Sequence, residues 1–213
     1  MSNAINLTKM SFFNLKYLLK QQWLAWAVWV VVPVFNPSFL YMVLGMIVLL
    51  TTYQILTYED MNGIDNLIAT LPVKRKEYVI SRYLIGIISI LIATTITLAI
   101  CFIASKIRNI DVPLEILIGT GITTVIVAIG IVIPAVLKYG ANKGKVISIV
   151  VMVIAMAPAF ITPEIISNRQ LMKSLYKIVD SMGMPLILAL FNIIVLATSI
   201  GIAIRIYNSK EIK

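Results

Sequence analysis

Eight charged residues crowd into the stretch YEDMNGIDNLIATLPVKRKEYVISRY, residues 58–83, between two long apolar runs. Glu59, Asp60, Asp65 and Glu77 balance Lys74, Arg75, Lys76 and Arg82 there, so the segment is locally neutral. The chemistry open to such a set is recognition, and neutrality suits the docking of a protein better than a polybasic patch made only for lipid. Ile64, Leu67, Ile68 and Leu71 recur at i, i+3, i+4 and i+7. That spacing predicts two turns of amphipathic helix, with Asp65, Asn66 and Thr70 off the apolar face and Pro72 ending it. Lys74-Arg75-Lys76-Glu77 then begins the next helix. A short helix held between two membrane helices is a lever, although the same spacing also fits an interfacial helix with a solvated rim.

Other chemistries are excluded by what is missing. The chain contains no histidine and one cysteine. Ser-His-Asp and HExxH sites therefore cannot be built, and no cysteine cluster can hold a metal. Proton- and ion-coupled carriers place carboxylates or histidines within the membrane. Here the acidic residues beyond the loop, Asp111, Glu115, Glu164, Asp180 and Glu211, fall at edges, in connections or in the tail. Gly140-Ala141-Asn142-Lys143-Gly144-Lys145 is one residue too short between its glycines for a phosphate-binding loop, and Val146 stands where Ser or Thr is needed. It is read as a flexible cytoplasmic turn. The chain binds no cofactor of its own on this reading, and any power for transport comes from another polypeptide. Cys101 is a small packing residue within an apolar run.

The elements that must position the charged loop follow from composition. Of the 213 residues 60% are hydrophobic and 13% charged, with a mean hydropathy of +0.98. A soluble domain is about 25% charged, so this is an all-α polytopic membrane protein forming one domain over residues 1–213. Six uncharged runs are long enough to cross: Leu18 to Phe35, Phe39 to Thr57, Tyr83 to Ser105, Ile116 to Leu137, Val146 to Pro163 and Met184 to Ile204. In the first, only Trp23 to Phe35 is strictly apolar, so Lys20 and Gln21 sit at the headgroups. With both termini cytoplasmic, thirteen Lys and Arg lie inside and five outside, which sets the orientation. The net charge of +9 then reflects attraction to anionic lipid and needs no nucleic acid. No cleavable signal is expected, because Asn36-Pro37-Ser38 returns the chain to the bilayer.

Lys9, Lys16 and Lys20 share one side of a helix over residues 1–20, with Met10, Phe13 and Tyr17 on the adjoining stripe. This predicts an interfacial helix along the cytoplasmic headgroups; the alternative is an unstructured start with incidental lysines. Pro33, Pro134 and Pro158 fall inside crossings, as bends or as hinges. Thr120-Thr124-Ala128 and Ala197-Gly201 place small residues four apart, suited to packing crossings within one subunit. Trp26 and Trp29 lie deep in the first crossing, in core or lipid contact, at a subunit interface or along an apolar substrate path.

Tyr58-Glu59-Asp60-Met61-Asn62-Gly63, Leu67, Leu71 through Val79 and Ser81-Arg82-Tyr83-Leu84 resemble the loop between helices two and three of small bacterial ABC-2 type permeases. In that family a basic residue follows Leu-Pro-Val, and a serine and a basic residue open the third helix. The likeness extends to the six-crossing layout and is nearest to the permeases of phenol-soluble modulin exporters. It implies a plasma-membrane exporter subunit, paired with a second copy or a related chain. Each copy would be bound to a separate cytoplasmic ATPase that carries the ATP and Mg. Gly63 to Leu71 becomes the coupling helix, braced by the N-terminal helix, with Ile64, Asp65, Leu67, Ile68, Leu71 and Pro72 toward the ATPase and Arg75 and Glu77 as polar contacts. Residues 164–183 would form short extracellular helices over the exit. Amphipathic toxic or antimicrobial peptides are the implied cargo. Drugs, lipids or ions are the runner-up cargoes, and a non-transporting scaffold or immunity protein is the runner-up role.

Overall fold

Lipid offers no hydrogen bonds, so a chain this apolar must satisfy its N–H and C=O groups internally, as helices do. The computed structural model describes residues 2–21, 23–35, 39–70, 73–108, 114–167, 174 and 183–210, with no strand among them. The helices are α1 (Ser2–Gln21), α2 (Trp23–Phe35), α3 (Leu40–Met61), α4 (Ile64–Thr70), α5 (Arg75–Arg108), α6 (Leu114–Ser167) and α7 (Met184–Ser209). Four of the described helices are long and apolar enough to cross a membrane: α3, α5, α6 and α7. The 13 residues of α2 rise about 20 Å, short of a hydrocarbon layer of roughly 30 Å. The expected turn at residues 36–38 and the expected extracellular helices at residues 168–173 and 175–182 lie outside the described residues, and α6 itself runs on to Ser167.

α6 is not one rod. Gly140 has φ 74° and ψ 179°, a region open only to glycine. A Cβ built on Gly144 would stand 3.0 Å from the Val136 Cα. In a continuous helix those residues would be about 12 Å apart, so the chain doubles back at Gly140. The arms are residues 114–139 and 141–167. This corrects the expected flexible turn over residues 140–145: the reversal uses a single glycine, and the second arm is helical from Ala141. Pro134 and Pro158 leave their arms helical, as Pro33 leaves α2.

α3 occupies the centre. Leu40, Val43, Leu44, Val48 and Ile55 are all buried, with α5 and α6 on either side. α7 lies against α6 and α5, α1 against α5 and α3, and α2 more loosely against α5 and α3. Apolar helices gain little hydrophobic attraction from one another in lipid, so close approach and hydroxyl contacts select the arrangement. Gly121 lets α6 meet Leu44, where a Cβ would lie 3.6 Å from Cδ1, and Gly130 admits Val195 and Ser199. The Ser199 hydroxyl donates to the Gly130 carbonyl at 2.7 Å and meets the Tyr83 hydroxyl at 2.5 Å, joining α5, α6 and α7. Ala197 and Gly201, expected to pack crossings together, are exposed instead, with open space around Gly201. Of the other small-residue set, Ala128 is buried while Thr120 is exposed.

Candidate functional site

Gly63, at φ +63°, ends α3 in the left-handed conformation that favours glycine, and α4 starts at the next residue. The turn is tight: the Asn62 N–H donates to the Tyr58 carbonyl at 3.1 Å, and Leu67 N–H to the Gly63 carbonyl at 3.4 Å. Little slack separates α4 from the end of α3.

The apolar stripe of α4 is divided. Ile68 is 2% exposed within the core, and Ile64 packs partly against that core. Both were expected to face an ATPase; in this fold they seat α4 on its own subunit. Leu67, 49% exposed, points away, and Met61, the last residue of α3, is 76% exposed. Lys74 and Lys76 are exposed nearby. Met61 escaped the sequence reading because it lies outside the 64–71 periodicity. The side chain of Asp65 and both Leu71 and Pro72 lie outside the described residues.

Two of the loop's charges are fully buried. Glu59 and Arg82 form an ion pair in which each side chain is at most 1% exposed. Ser11 completes it, donating to Glu59 Oε1 at 2.6 Å and accepting from Arg82 Nη1 at 2.7 Å. The guanidinium also lies 4.3 Å from the Tyr78 ring centroid, and Tyr78 stacks at 4.9 Å on Tyr207 of α7. One buried cluster therefore joins α1, α3, α5 and α7. A buried pair is costly to desolvate, and cation–π contact and the Ser11 hydroxyl offset part of that cost.

The neighbouring carboxylate serves another element. Asp60 Oδ2 accepts the Ala141 N–H at 2.6 Å. That amide opens the second arm of α6, where the first helical N–H groups have no partner within their own helix and the helix dipole favours negative charge. Asp60 thus caps a helix that begins 81 positions along the chain.

Arg75 and Glu77, expected as polar contacts to the ATPase, are engaged within the chain. Arg75 Nη1 reaches the carbonyls of Asn208 (2.9 Å), Lys210 (3.1 Å) and Tyr207 (3.4 Å) at the C-terminal end of α7, where the dipole favours a cation. Glu77 Oε2 accepts the Lys74 N–H at 3.3 Å, the carboxylate half of a capping box on α5, and the Asn3 amide at 3.2 Å. Balanced charge in this loop therefore reflects internal fastening.

On α1 the inward face is Ala4, Leu7, Thr8, Ser11 and Leu15. Phe13, 77% exposed, shares the outer face with Lys9, Lys16 and Lys20. The expected stripe is split, since Met10 packs against the core while Phe13 points out. The side chains of Tyr17, Trp26 and Trp29 lie outside the described residues. Among the described residues no group of His, Cys, Asp and Glu could hold a metal, and Cys101 is a buried free thiol.

The site, as far as its described residues go, is a braced, partly exposed helix at one end of a helical membrane bundle. Such a bundle defines a multi-pass membrane protein. Residues 6–208 match the model for ABC-2 family transporter proteins, and the chain belongs to that family. Members are membrane components of ABC transporters, and membership implies an association with an ABC ATPase. No curated protein and no solved structure matches the chain.

Proposed function

We propose that this chain is the permease subunit of an ATP-driven exporter in a bacterial plasma membrane, and that α4 couples it to a separate cytoplasmic ATPase. The observation that carries the reading is the divided face of α4: Ile68 anchors it inside while Leu67 and Met61 stand out. A rod seated in the bundle and free on its far side transmits force. The ends of the helices it connects are tied to α1, α6 and α7 through Glu59, Arg82, Asp60 and Arg75. A push on α4 therefore reaches the end of α3 through the tight turn at Gly63, and from there the helices fastened to it.

In this reading the chain crosses six times with both termini cytoplasmic, the two arms of α6 counting as separate crossings and the last turn of α1 with α2 forming the first. Phe13 and the α1 lysines rest at the headgroups. Residues 164–183 lie outside the cell over the exit. A second copy or a related chain completes the path, the ATPase partner holds ATP and Mg, and the cargo is an amphipathic peptide. Trp26 and Trp29 remain proposed for the substrate path, and Asp65, Leu71 and Pro72 for the ATPase side of the loop.

The test is Leu67→Asp. Placing a carboxylate at a central apolar contact is expected to weaken ATPase association about tenfold and to abolish cargo-stimulated ATP hydrolysis, while the folded subunit is retained. Full co-purification and full stimulation in the variant would remove α4 from the coupling path. Stimulation by drugs or lipids and not by amphipathic peptides would replace the cargo assignment.

A further inference from the structure

Beside the buried cluster lies a cavity of about 230 Å3, walled by α1, α2, α3 and α5 and partly open to the surface. Phe12 and Leu15 form its α1 side, Val30 its α2 side, Thr51 its α3 side, and Ser89 and Ile92 its α5 side. Among the described residues the wall is mainly apolar, interrupted by Thr51 and Ser89. The Thr51 hydroxyl is turned back to the Ile47 carbonyl, and the Ser89 oxygen is buried without a hydrogen-bond partner among them. Ile92, 46% exposed, marks the opening on the flank of the bundle. Aliphatic cavities of about 150 Å3 stay dry in proteins and take up apolar molecules, so this larger one, lined mainly by Phe, Leu, Val and Ile, suits hydrocarbon better than a strongly polar cargo.

Depth and charge identify the hydrocarbon. Thr51 precedes Glu59, and Ser89 and Ile92 follow Arg82, by helical distances of about 10–15 Å along α3 and α5. Ile47 and Ile96, also in its wall, lie about 18–21 Å along by the same measure, so the cavity occupies one leaflet and ends near the midplane of a bilayer whose hydrocarbon is about 30 Å thick. It is the cytoplasmic leaflet in the orientation proposed above. At its shallow end, α1 carries exposed Lys9 and Lys16 within a turn of Phe12, with Lys20 one turn further on. Long basic side chains at that level hold phosphate.

We propose that the cavity seats one acyl chain of an anionic phospholipid, whose phosphate is held by the lysines of α1. The site would make α1, the brace of the cytoplasmic end, sensitive to the charge of the surrounding lipid. It rests on the membrane reading of the fold and not on coupling through α4, so the Leu67→Asp result leaves it untouched.

The experiment is native mass spectrometry of the full chain taken from vesicles of equal phosphatidylglycerol and phosphatidylcholine. The expected result is one phosphatidylglycerol retained per chain through detergent washing, at least fivefold above phosphatidylcholine. Ser89→Leu and, separately, Val30→Phe fill the cavity and are expected to abolish retention. Lys16→Gln with Lys20→Gln keeps the cavity and is expected to erase the preference for phosphatidylglycerol. These exposed lysines can be changed without disturbing packing, so the proposal stays testable if a filled variant fails to fold. Equal retention of both lipids by the unaltered chain, or retention unchanged in both filled variants, overturns it. So does binding of an amphipathic peptide, in place of lipid, that the filled variants lose.

Discussion

The two ends of the tertiary design contrast sharply. Around Glu59 and Arg82 four helices are joined by directional polar contacts, and the α3 span that leads there is 67% buried. Along α7 only 11% of the span is buried, and Leu186, Leu190, Phe191, Ile193 and Ile194 present apolar surface outward. The first region specifies which helices meet; the second only requires that whatever surrounds it be apolar. In lipid, where burying leucine against leucine brings little gain, the fold is decided at the polar end.

That contrast can be broken at its strongest point by Glu59→Ala, which leaves the Arg82 guanidinium buried and unpaired. A loss of about 3–5 kcal/mol is expected, read as thermal unfolding in mild detergent. Glu59→Gln combined with Arg82→Met is expected to cost less than either single truncation, because no charge is stranded. If Glu59→Ala costs under about 1 kcal/mol, the cluster behaves as a solvated surface pair and the contrast fails.

Next in size is Gly140→Ala. Its backbone requires φ +74°, and the added methyl would lie 3.2 Å from Asp60 Oδ2. The expected cost is about 1–3 kcal/mol, seen in the same unfolding measurement and as faster hydrogen exchange of the Ala141 amide. Unchanged exchange there would mean that Asp60 does not grip the second arm.

Arg75→Gln removes the cation that closes the end of α7. A loss of about 1 kcal/mol is expected, with exchange increased at the last turn of α7 and not at its start. At the other extreme, Ile194→Ala on the open face of α7 should change stability by less than about 0.5 kcal/mol. A loss beyond about 2 kcal/mol there would show that the face is covered by another protein surface.

The sequence carried the helical architecture well, because long apolar runs in a membrane leave few alternatives. α5 contains the expected third crossing, α3 covers the expected second from Leu40 onward, and α4 occupies the stretch whose 3.6-residue period announced it. That period shows that Ile64, Leu67 and Ile68 share a face, but not which body the face meets, and Ile68 faces the bundle while Leu67 faces out. The charges misled for a related reason: composition counts Glu59 and Arg82 as loop residues, and only the fold brings Ser11 between them. On α1, small hydroxyl residues interrupt the buried stripe at Thr8 and Ser11, which hid its inward face behind the more conspicuous lysines. Gly140 was hidden among polar neighbours that look like a loop, while its partner Asp60 lies on another helix.

The reversal at Gly140 has a practical corollary for anyone editing this protein. Polar junctions between membrane helices are ordinarily the tolerant places to splice in an epitope or a fluorescent reporter. Here a single residue makes the return and its amide neighbour is already clasped, so there is no spare chain to absorb a graft. An insertion at this point would pry the hairpin open and loosen α3 at its root.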